Sequence, residues 1–409
     1  MNTVRPDPSL ETASAADSSA PSDNFSIMAG GPLFRAVRRL HVSSDQMGFL
    51  PRRILIAFAL TWVPVALLSF FDGHALGSSV QLPFFHDIDL QARLVIALPL
   101  LLFAEVDAFK RMAPVLPEFL RRQMIPDEDR QRFEAAVVSA RRLRDSTWAE
   151  VVLLLFVYVF GVNYLWKTHL VMPAPTWYAI PLPGGDRHLT AAGWWYALVS
   201  LPIWQFLLVR WYYRLFIWAR LMFRISRIRL RLVPTHPDHC GGLGFLAPAM
   251  RAFSTLLVVH GTLVAGALAN RIFFRGGHLL EYKMQIGVYL AIMLLLVLGP
   301  TCSFAPALVK LKRVSLREYG AFAHDYVRDF DRKWVHGPPP AETLLGSSDI
   351  QSLADLGNSY DLIRKMQFVP FNRQVVVSLA AAALLPIAPL VLTAVPLEKL
   401  AADVLKMIF

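Results

Sequence analysis

The most distinctive stretch of the sequence is His236-Pro237-Asp238-His239-Cys240-Gly241-Gly242-Leu243-Gly244-Phe245, which combines reactive side chains with glycines. Its potential ligands for a transition metal such as zinc are His236, Asp238, His239 and Cys240. Ligands packed so closely along a chain do not easily surround one tetrahedral ion. A divalent metal site would therefore need His324 or His336 to approach from the later part of the chain.

Two other interpretations fit the same loop. The glycine amides at the start of a helix could bind an anion or a lipid headgroup. The glycines could also simply provide positive φ angles and close packing in a tight turn that leads into the next helix. We expect the tight turn, and keep the metal site and the anion site as alternatives.

A second set of candidates consists of ionisable side chains inside apolar segments, where burial is costly and a function is the default explanation. The members of this set are Glu105, Asp107, Glu150, Arg210, Arg251 and His260. Except for His260, they fall at a similar depth on four consecutive apolar segments. Facing pairs of opposite charge would offset part of the burial cost, and such a set could couple a proton or cation to solute transport. Interfacial snorkelling, a fixed ion-pair network or, for His260, ordinary packing would explain the same positions.

Seven apolar segments are long enough to hold these residues in membrane-spanning helices. The predicted spans are Ile54–Phe71, Ala92–Phe109, Thr147–Trp166, Trp194–Ile217, Phe245–Phe273, Gln285–Val309 and Val375–Pro396. The composition agrees, because 55% of the residues are hydrophobic and only 17% are charged. The sequence predicts an all-α polytopic transmembrane helix bundle of about seven spans.

The distribution of basic residues predicts the orientation of this bundle. Most of the 41 Lys and Arg residues lie in alternate connecting segments, beginning with the segment before the first span. Because basic loops stay on the cytoplasmic side, we expect the N-terminus inside and the C-terminus outside. The net charge of +11 then indicates contact with anionic lipid headgroups on the inner face, and not with nucleic acid.

This arrangement divides the chain into four parts. Residues 1–50 are expected to be a disordered, basic cytoplasmic tail, and residues 51–309 to hold spans one to six, with a cytoplasmic helix near 127–145. Residues 310–373 are expected to be a small cytoplasmic helical cap, with one helix over Val314–Trp334 and another from Ser348, capped through Gln351. Residues 374–409 are expected to hold the seventh span and a short outer segment. The arginines from Arg214 to Arg231 would lie on headgroups or flank the fourth span.

Three stretches resemble uncharacterised bacterial multi-pass inner-membrane proteins. These are the glycine loop after His236, the pattern from Gln91-Ala92-Arg93 to Glu105, and Ser348-Asp349-Ile350-Gln351-Ser352-Leu353. The resemblance covers most of the chain and implies a location in the plasma membrane of a bacterium, its inner membrane. It implies no activity, cofactor or site residue.

The sequence contains no Walker loop, no dinucleotide fingerprint, no nucleophile elbow, no His-Glu-x-x-His helix and no Cys-x-x-Cys pair. These absences argue against an ATP-driven pump and disfavour a hydrolase or redox enzyme. A transporter or channel for a small solute or ion is the expected function. The alternatives are a non-transporting sensor, scaffold or assembly partner, and a membrane-embedded enzyme for lipid headgroups; a homo-oligomer is compatible with all three.

Overall fold

The computed structural model describes residues 26–33, 35, 49–77, 79–162, 175–181, 187–338, 343 and 347–393. Most of this part of the chain is helical. The two strands within it, β1 (Ala179–Pro181) and β2 (Arg187–Leu189), form a short antiparallel pair in which Ile180 lies opposite His188. The predicted all-α class is therefore confirmed for the described residues.

The helices follow one another with short connections. In chain order the α-helices are α1 (Leu50–Thr61), α2 (Val63–Phe71), α3 (Ile88–Gln91), α4 (Leu98–Met112), α5 (Val115–Arg121), α6 (Arg130–Arg144), α7 (Thr147–Phe156), α8 (Ala191–Trp195), α9 (Leu201–Ser226), α10 (Ala247–Arg251), α11 (Ser254–Arg275), α12 (Lys283–Cys302), α13 (Ala305–Phe330), α14 (Ser348–Lys365) and α15 (Arg373–Leu384). Helical turns of π type occur at Ala92–Ala97, Val157–Val162, Tyr196–Ser200 and Asp331–Val335. Helices of 3-10 type occur at Phe84–His86, Asp127–Asp129, Leu243–Leu246, Leu279–Tyr282 and Leu385–Thr393.

Five helical segments of the described residues are long and apolar enough to cross a bilayer. They are Leu50–Phe71, Ala191–Ser226, Leu243–Phe274, Leu279–Cys302 and Arg373–Thr393. The second predicted span is not among them, because the helical run through α3 and α4 carries Arg93, Glu105 and Asp107. The third begins as predicted at Thr147, but its end at Trp166 lies outside the described residues. The seven-span count and the orientation stay predictions.

Helix α11 lies at the centre of the bundle and is the most buried of the apolar helices. It packs against α3 and α4 on one side and against α15 on another. A Cβ atom at Gly261 would lie only 2.3 Å from the carbonyl oxygen of Ala383, so the absence of a side chain there lets α11 and α15 approach. The core of the bundle forms around this contact.

The sixth predicted span and the helix after it have different boundaries in the structure. Helix α12 ends at Cys302, and a new helix, α13, begins at Ala305. Pro306 lies in the first turn of α13, where backbone nitrogens have no partner within the helix and the missing N–H of proline costs nothing. Helix α14 begins at Ser348 as expected, but its N-cap is Ser347, whose Oγ accepts a hydrogen bond from the Asp349 nitrogen. The predicted capping box through Gln351 is therefore wrong.

Helices α13 and α14 pack on each other as a hairpin. Near its tip, Asp349 accepts hydrogen bonds from Lys333 Nζ at 2.8 Å and Trp334 Nε1 at 2.9 Å. These two donors hold the pKa of the Asp349 carboxyl below its usual value. Phe322 on α13 is 60% exposed. Helices α13 and α14 thus form a hairpin with a partly apolar surface.

Cysteine labelling measures the number of spans. On a Cys302→Ser background, which leaves only the buried Cys240, the variants Ser79→Cys, Gln131→Cys and Ser352→Cys each place one thiol on an exposed position. With seven spans and the N-terminus inside, a membrane-impermeant maleimide applied to intact cells labels only the Ser79→Cys variant. Labelling of both Ser79→Cys and Gln131→Cys in intact cells would show that the second predicted span does not cross the membrane, whereas labelling of Gln131→Cys and Ser352→Cys without Ser79→Cys would reverse the orientation.

Candidate functional site

Glu105 on α4 is the centre of a buried group of charges. Its Oε1 accepts hydrogen bonds from Arg214 Nη1 at 2.6 Å and from Arg210 Nη1 at 3.4 Å, and its Oε2 accepts one from Arg53 Nη2. The Glu105 side chain is only 3% exposed. Arg210 also lies 3.5 Å from Glu150 Oε1. We call these five residues the charge cluster.

Helix geometry explains why these side chains meet. Arg210 and Arg214 are four residues apart on α9 and therefore share one face. Arg53 lies in the first turn of α1, and Glu150 lies in the first turn of α7, where a carboxylate also interacts favourably with the helix dipole. The cluster joins four helices at one end of the bundle. We call this the basic end.

The segment 26–33 lies against the charge cluster. Glu150 Oε2 accepts a hydrogen bond from the Leu33 nitrogen at 2.8 Å. Arg210 Nη2 donates to the Gly30 oxygen at 3.4 Å, and Arg214 Nη2 donates to the Met28 oxygen at 3.3 Å. The Met28 side chain is fully buried in the main core. The structure thus places this segment against the bundle, whereas the composition of residues 1–50 predicts a disordered tail.

Arg144 and Asp145, at the end of α6, hold the same segment from the other side. Arg144 Nη1 donates to the Ser26 oxygen at 2.6 Å and to the Ala29 oxygen at 2.8 Å. Asp145 Oδ1 accepts from the Gly31 nitrogen at 3.0 Å. Burial would raise the pKa of the Asp145 carboxyl, but the hydrogen bonds and charge of Arg144 hold it below its usual value.

A cavity of about 330 Å³ adjoins the charge cluster. Its charged lining residues are Arg53, Glu105 and Arg210, which are all members of the charge cluster. The remainder of its wall is almost entirely apolar and comes from Leu33, α1, α4, α9 and the helix that starts at α7. Arg53 Nη1 is buried there without a hydrogen-bond partner among the described residues. A buried guanidinium nitrogen with no acceptor is costly, and an anion would satisfy it.

The other predicted pathway residues do not join the cluster. Asp107 pairs with Arg111 on its own helix at 2.8 Å. Arg251 has a buried Nε without a partner in the described part of the chain. His260 Nδ1 donates to the Leu256 oxygen at 2.8 Å, so that its Nε2 accepts from the Tyr212 hydroxyl at 2.5 Å. His260 is thus satisfied within its surroundings, as a packing residue would be.

The glycine loop after His236 binds a carboxylate of its own. Asp238 Oδ1 accepts hydrogen bonds from the nitrogens of Cys240 at 2.8 Å and Gly242 at 3.1 Å, and its Oδ2 accepts from Gly244 at 2.8 Å. Gly241 and Gly242 have φ angles of 65° and 97°, which glycine adopts without strain. The predicted tight turn is present. The amides of Gly242 and Gly244, which were candidates to bind an external anion, donate hydrogen bonds to Asp238 instead.

The geometry of this loop does not assemble the predicted zinc ligands. Within the described residues no group of three or more His, Cys, Asp or Glu side chains could hold a metal ion. Asp238 is taken up by backbone amides, and the Cys240 sulfur faces the Val369 oxygen at 3.5 Å. Burial, with a contribution from the Asp238 charge, raises the pKa of the Cys240 thiol to about 12.

Arg214 is an exception to both interpretations of the stretch from Arg214 to Arg231, contact with headgroups and a flank of the fourth span. The Arg214 side chain is only 4% exposed and belongs to the charge cluster. Two cluster residues, Arg53 and Arg214, were therefore missed as site residues. The four-residue spacing of Arg210 and Arg214 was a signal that could have found the second, whereas nothing in the sequence separates Arg53 from the neighbouring Arg52.

These observations define the class of the protein: an all-α chain with several apolar helices, consistent with a membrane protein, and with a buried charge cluster beside an apolar cavity. No protein-family model, curated protein or solved structure matches the chain. The site must therefore be interpreted from its own geometry.

Docking of the segment 26–33 can be tested at Gly31. Its φ is 95°, and an added Cβ would lie 3.0 Å from Glu150 Oε1 and 3.2 Å from the Arg144 oxygen. Gly77 has nearly the same φ, 94°, but open space around it. We expect Gly31→Ala to release the segment, so that protease cuts it about tenfold faster, whereas Gly77→Ala changes nothing there. Equal cleavage in the two variants would contradict the docking.

Proposed function

We propose that this protein is a transporter for a small anionic solute in a bacterial inner membrane, with the charge cluster as its binding centre. The proposal rests on the excess of positive charge in the buried charge cluster. Arg53, Arg210 and Arg214 supply three guanidiniums, and Glu105 and Glu150 supply two carboxylates. Among the described residues one guanidinium of the cluster remains without a matching carboxylate, and an anionic solute would neutralise it.

The position of the unpartnered nitrogen supports the same proposal. Arg53 is one of the residues that line the 330 Å³ cavity. Its Nη1 is the unpartnered nitrogen, and its Nη2 donates a hydrogen bond to Glu105. A guanidinium fixed in this way presents a donor in a defined direction, which favours recognition of a carboxylate or phosphate. Glu105 then acts as the counter-ion that keeps the three cations together, and is not the proton carrier considered from the sequence.

The segment 26–33 supplies a gate for this transporter. It contacts Arg210, Arg214 and Glu150 through backbone atoms, and water or solute can replace the hydrogen bonds of these backbone atoms. Its release would open the charge cluster to the basic end, which we place on the cytoplasmic side. Alternating access in this proposal combines that opening with a path through the bundle.

A second candidate function is partner binding through the α13–α14 hairpin. Phe322, Val327 and Val335 on this hairpin are 60%, 41% and 61% exposed. Exposed apolar side chains grouped on one element favour an interaction surface. A sensor or scaffold of this kind carries no anion current.

The proposal is tested by solid-supported electrical recording from proteoliposomes while single anions are stepped across the membrane. Arg53→Gln should lower the anion current about tenfold, because a hydrogen bond to a charged group contributes about 1.5–3 kcal/mol and 1.4 kcal/mol corresponds to tenfold. Arg52→Gln, at the exposed neighbouring position, is the matched control.

Two results would contradict the proposal. One is the absence of any anion-dependent current from folded wild-type protein, which would favour the partner-binding function. The other is an unchanged current in Arg53→Gln protein whose thermal unfolding matches that of Arg52→Gln.

A further inference from the structure

We infer that the solute of this site is an amphiphile with one negatively charged carboxylate head and one acyl chain, which enters sideways from the lipid. The inference rests on the proposed function, since it names the substrate class of the same binding centre. It depends on the shape of the cavity, the separation of its charged and apolar walls, and the exposure of its rim.

The wall of the cavity suits an acyl chain. Apart from the three charged residues, its lining consists of Leu33, Ile56, Ala57, Leu60, Leu102, Leu154, Val157, Tyr158, Pro202, Ile203, Phe206 and Leu207. The only polar side-chain group in this set, the Tyr158 hydroxyl, donates to the Leu198 oxygen at 3.3 Å. A hydrated inorganic anion would lose its water against this wall without replacement, whereas an apolar chain gains from the burial.

The charges occupy one end of the cavity. Arg53 is in the first turn of α1, and Leu60 lies about two turns further along the same helix. A bound amphiphile would therefore place its head at the basic end and its tail toward the middle of the bundle. A lipid molecule in the adjacent leaflet has the same orientation, with its head at the interface and its chain toward the bilayer centre.

The volume and the charge limit the ligand further. A cavity of about 330 Å³ is at the small end of ligand sites, which favours one chain over two. The single unmatched guanidinium of the cluster favours a head with one negative charge. A fatty-acid carboxylate meets both conditions, and Arg53 Nη1, which has no acceptor among the described residues, is the nitrogen that would bind it.

The rim of the cavity opens sideways. Ile56 and Leu60 on α1 are 39% and 48% exposed, and Leu154 and Tyr158 on the facing helix are 46% and 44% exposed. In a chain that spans a membrane, such partly exposed apolar side chains lie against hydrocarbon. An amphiphile could pass between these two helices from the bilayer without crossing water.

Binding of decanoate to the purified, detergent-solubilised full-length protein tests the inference, with native mass spectrometry to count bound ligand. Decanol tests the need for charge, and acetate tests the need for a chain. Ile203→Trp fills the apolar wall and leaves every charged residue of the site unchanged. Leu295→Trp, on α12 and 72% exposed, adds the same side chain away from the cavity.

We expect wild type and Leu295→Trp to bind decanoate but not decanol, and both Ile203→Trp and Arg53→Gln to bind it about tenfold more weakly. Equal binding of decanol, or full binding by a folded Ile203→Trp variant, would overturn the inference. If decanoate does not bind while acetate or chloride still carries an Arg53-dependent current, the inference fails and the proposed function stands. If no anion carries a current, the proposed function fails.

Discussion

The charge cluster depends on one carboxylate, that of Glu105. It lies between three guanidiniums that would otherwise repel one another in a place where water cannot screen them. Burying an unpaired charge costs several kcal/mol, whereas a well-arranged group offsets most of that cost. The fold must therefore keep α1, α4 and α9 in register at this level, because a shift of any one of them would leave an arginine buried without its acceptor.

The same requirement explains the position of the segment 26–33. The guanidiniums carry more donors than Glu105 and Glu150 can accept, and the Met28 and Gly30 carbonyls take two of the remainder. The segment is held in turn by Arg144 and Asp145. Donors are still in excess after these contacts, since Arg53 Nη1 has no acceptor among the described residues. A site in which most donors already have an acceptor, and in which the net charge is still positive, is well suited to bind an anion reversibly.

The features that the sequence predicted are those that follow from local patterns. Helix α6 lies within the helix predicted near 127–145, and its apolar spacing buries Phe133, Val137 and Ala140 on one face. The meeting of Glu105, Glu150 and Arg210 followed from their similar depth on predicted helices. The boundary near Ser348 was close, although Ser347 is the actual cap, since two adjacent serines offer the same hydroxyl.

The features that the sequence missed depend on long-range contacts. The composition of the first fifty residues indicates disorder, and only the tertiary position of Arg144 and Glu150 explains why the segment 26–33 is ordered. Asp238 provides a similar case. The glycine pattern correctly indicated amides that bind an anion, but not that the anion is a carboxylate two residues before the first amide. The sequence thus indicated the hydrogen-bond donors of the loop, but not the acceptor that they bind.

The most direct measurement is the free energy of unfolding of Glu105→Gln, Arg214→Gln and the double variant, compared with wild type under identical detergent conditions. Each single change breaks a buried ion pair and is expected to cost about 3–5 kcal/mol. If Glu105 holds the guanidiniums together, the double variant loses clearly less than the sum of the two single losses. Additive losses would show that Glu105 and Arg214 stabilise the fold independently, and would contradict the account.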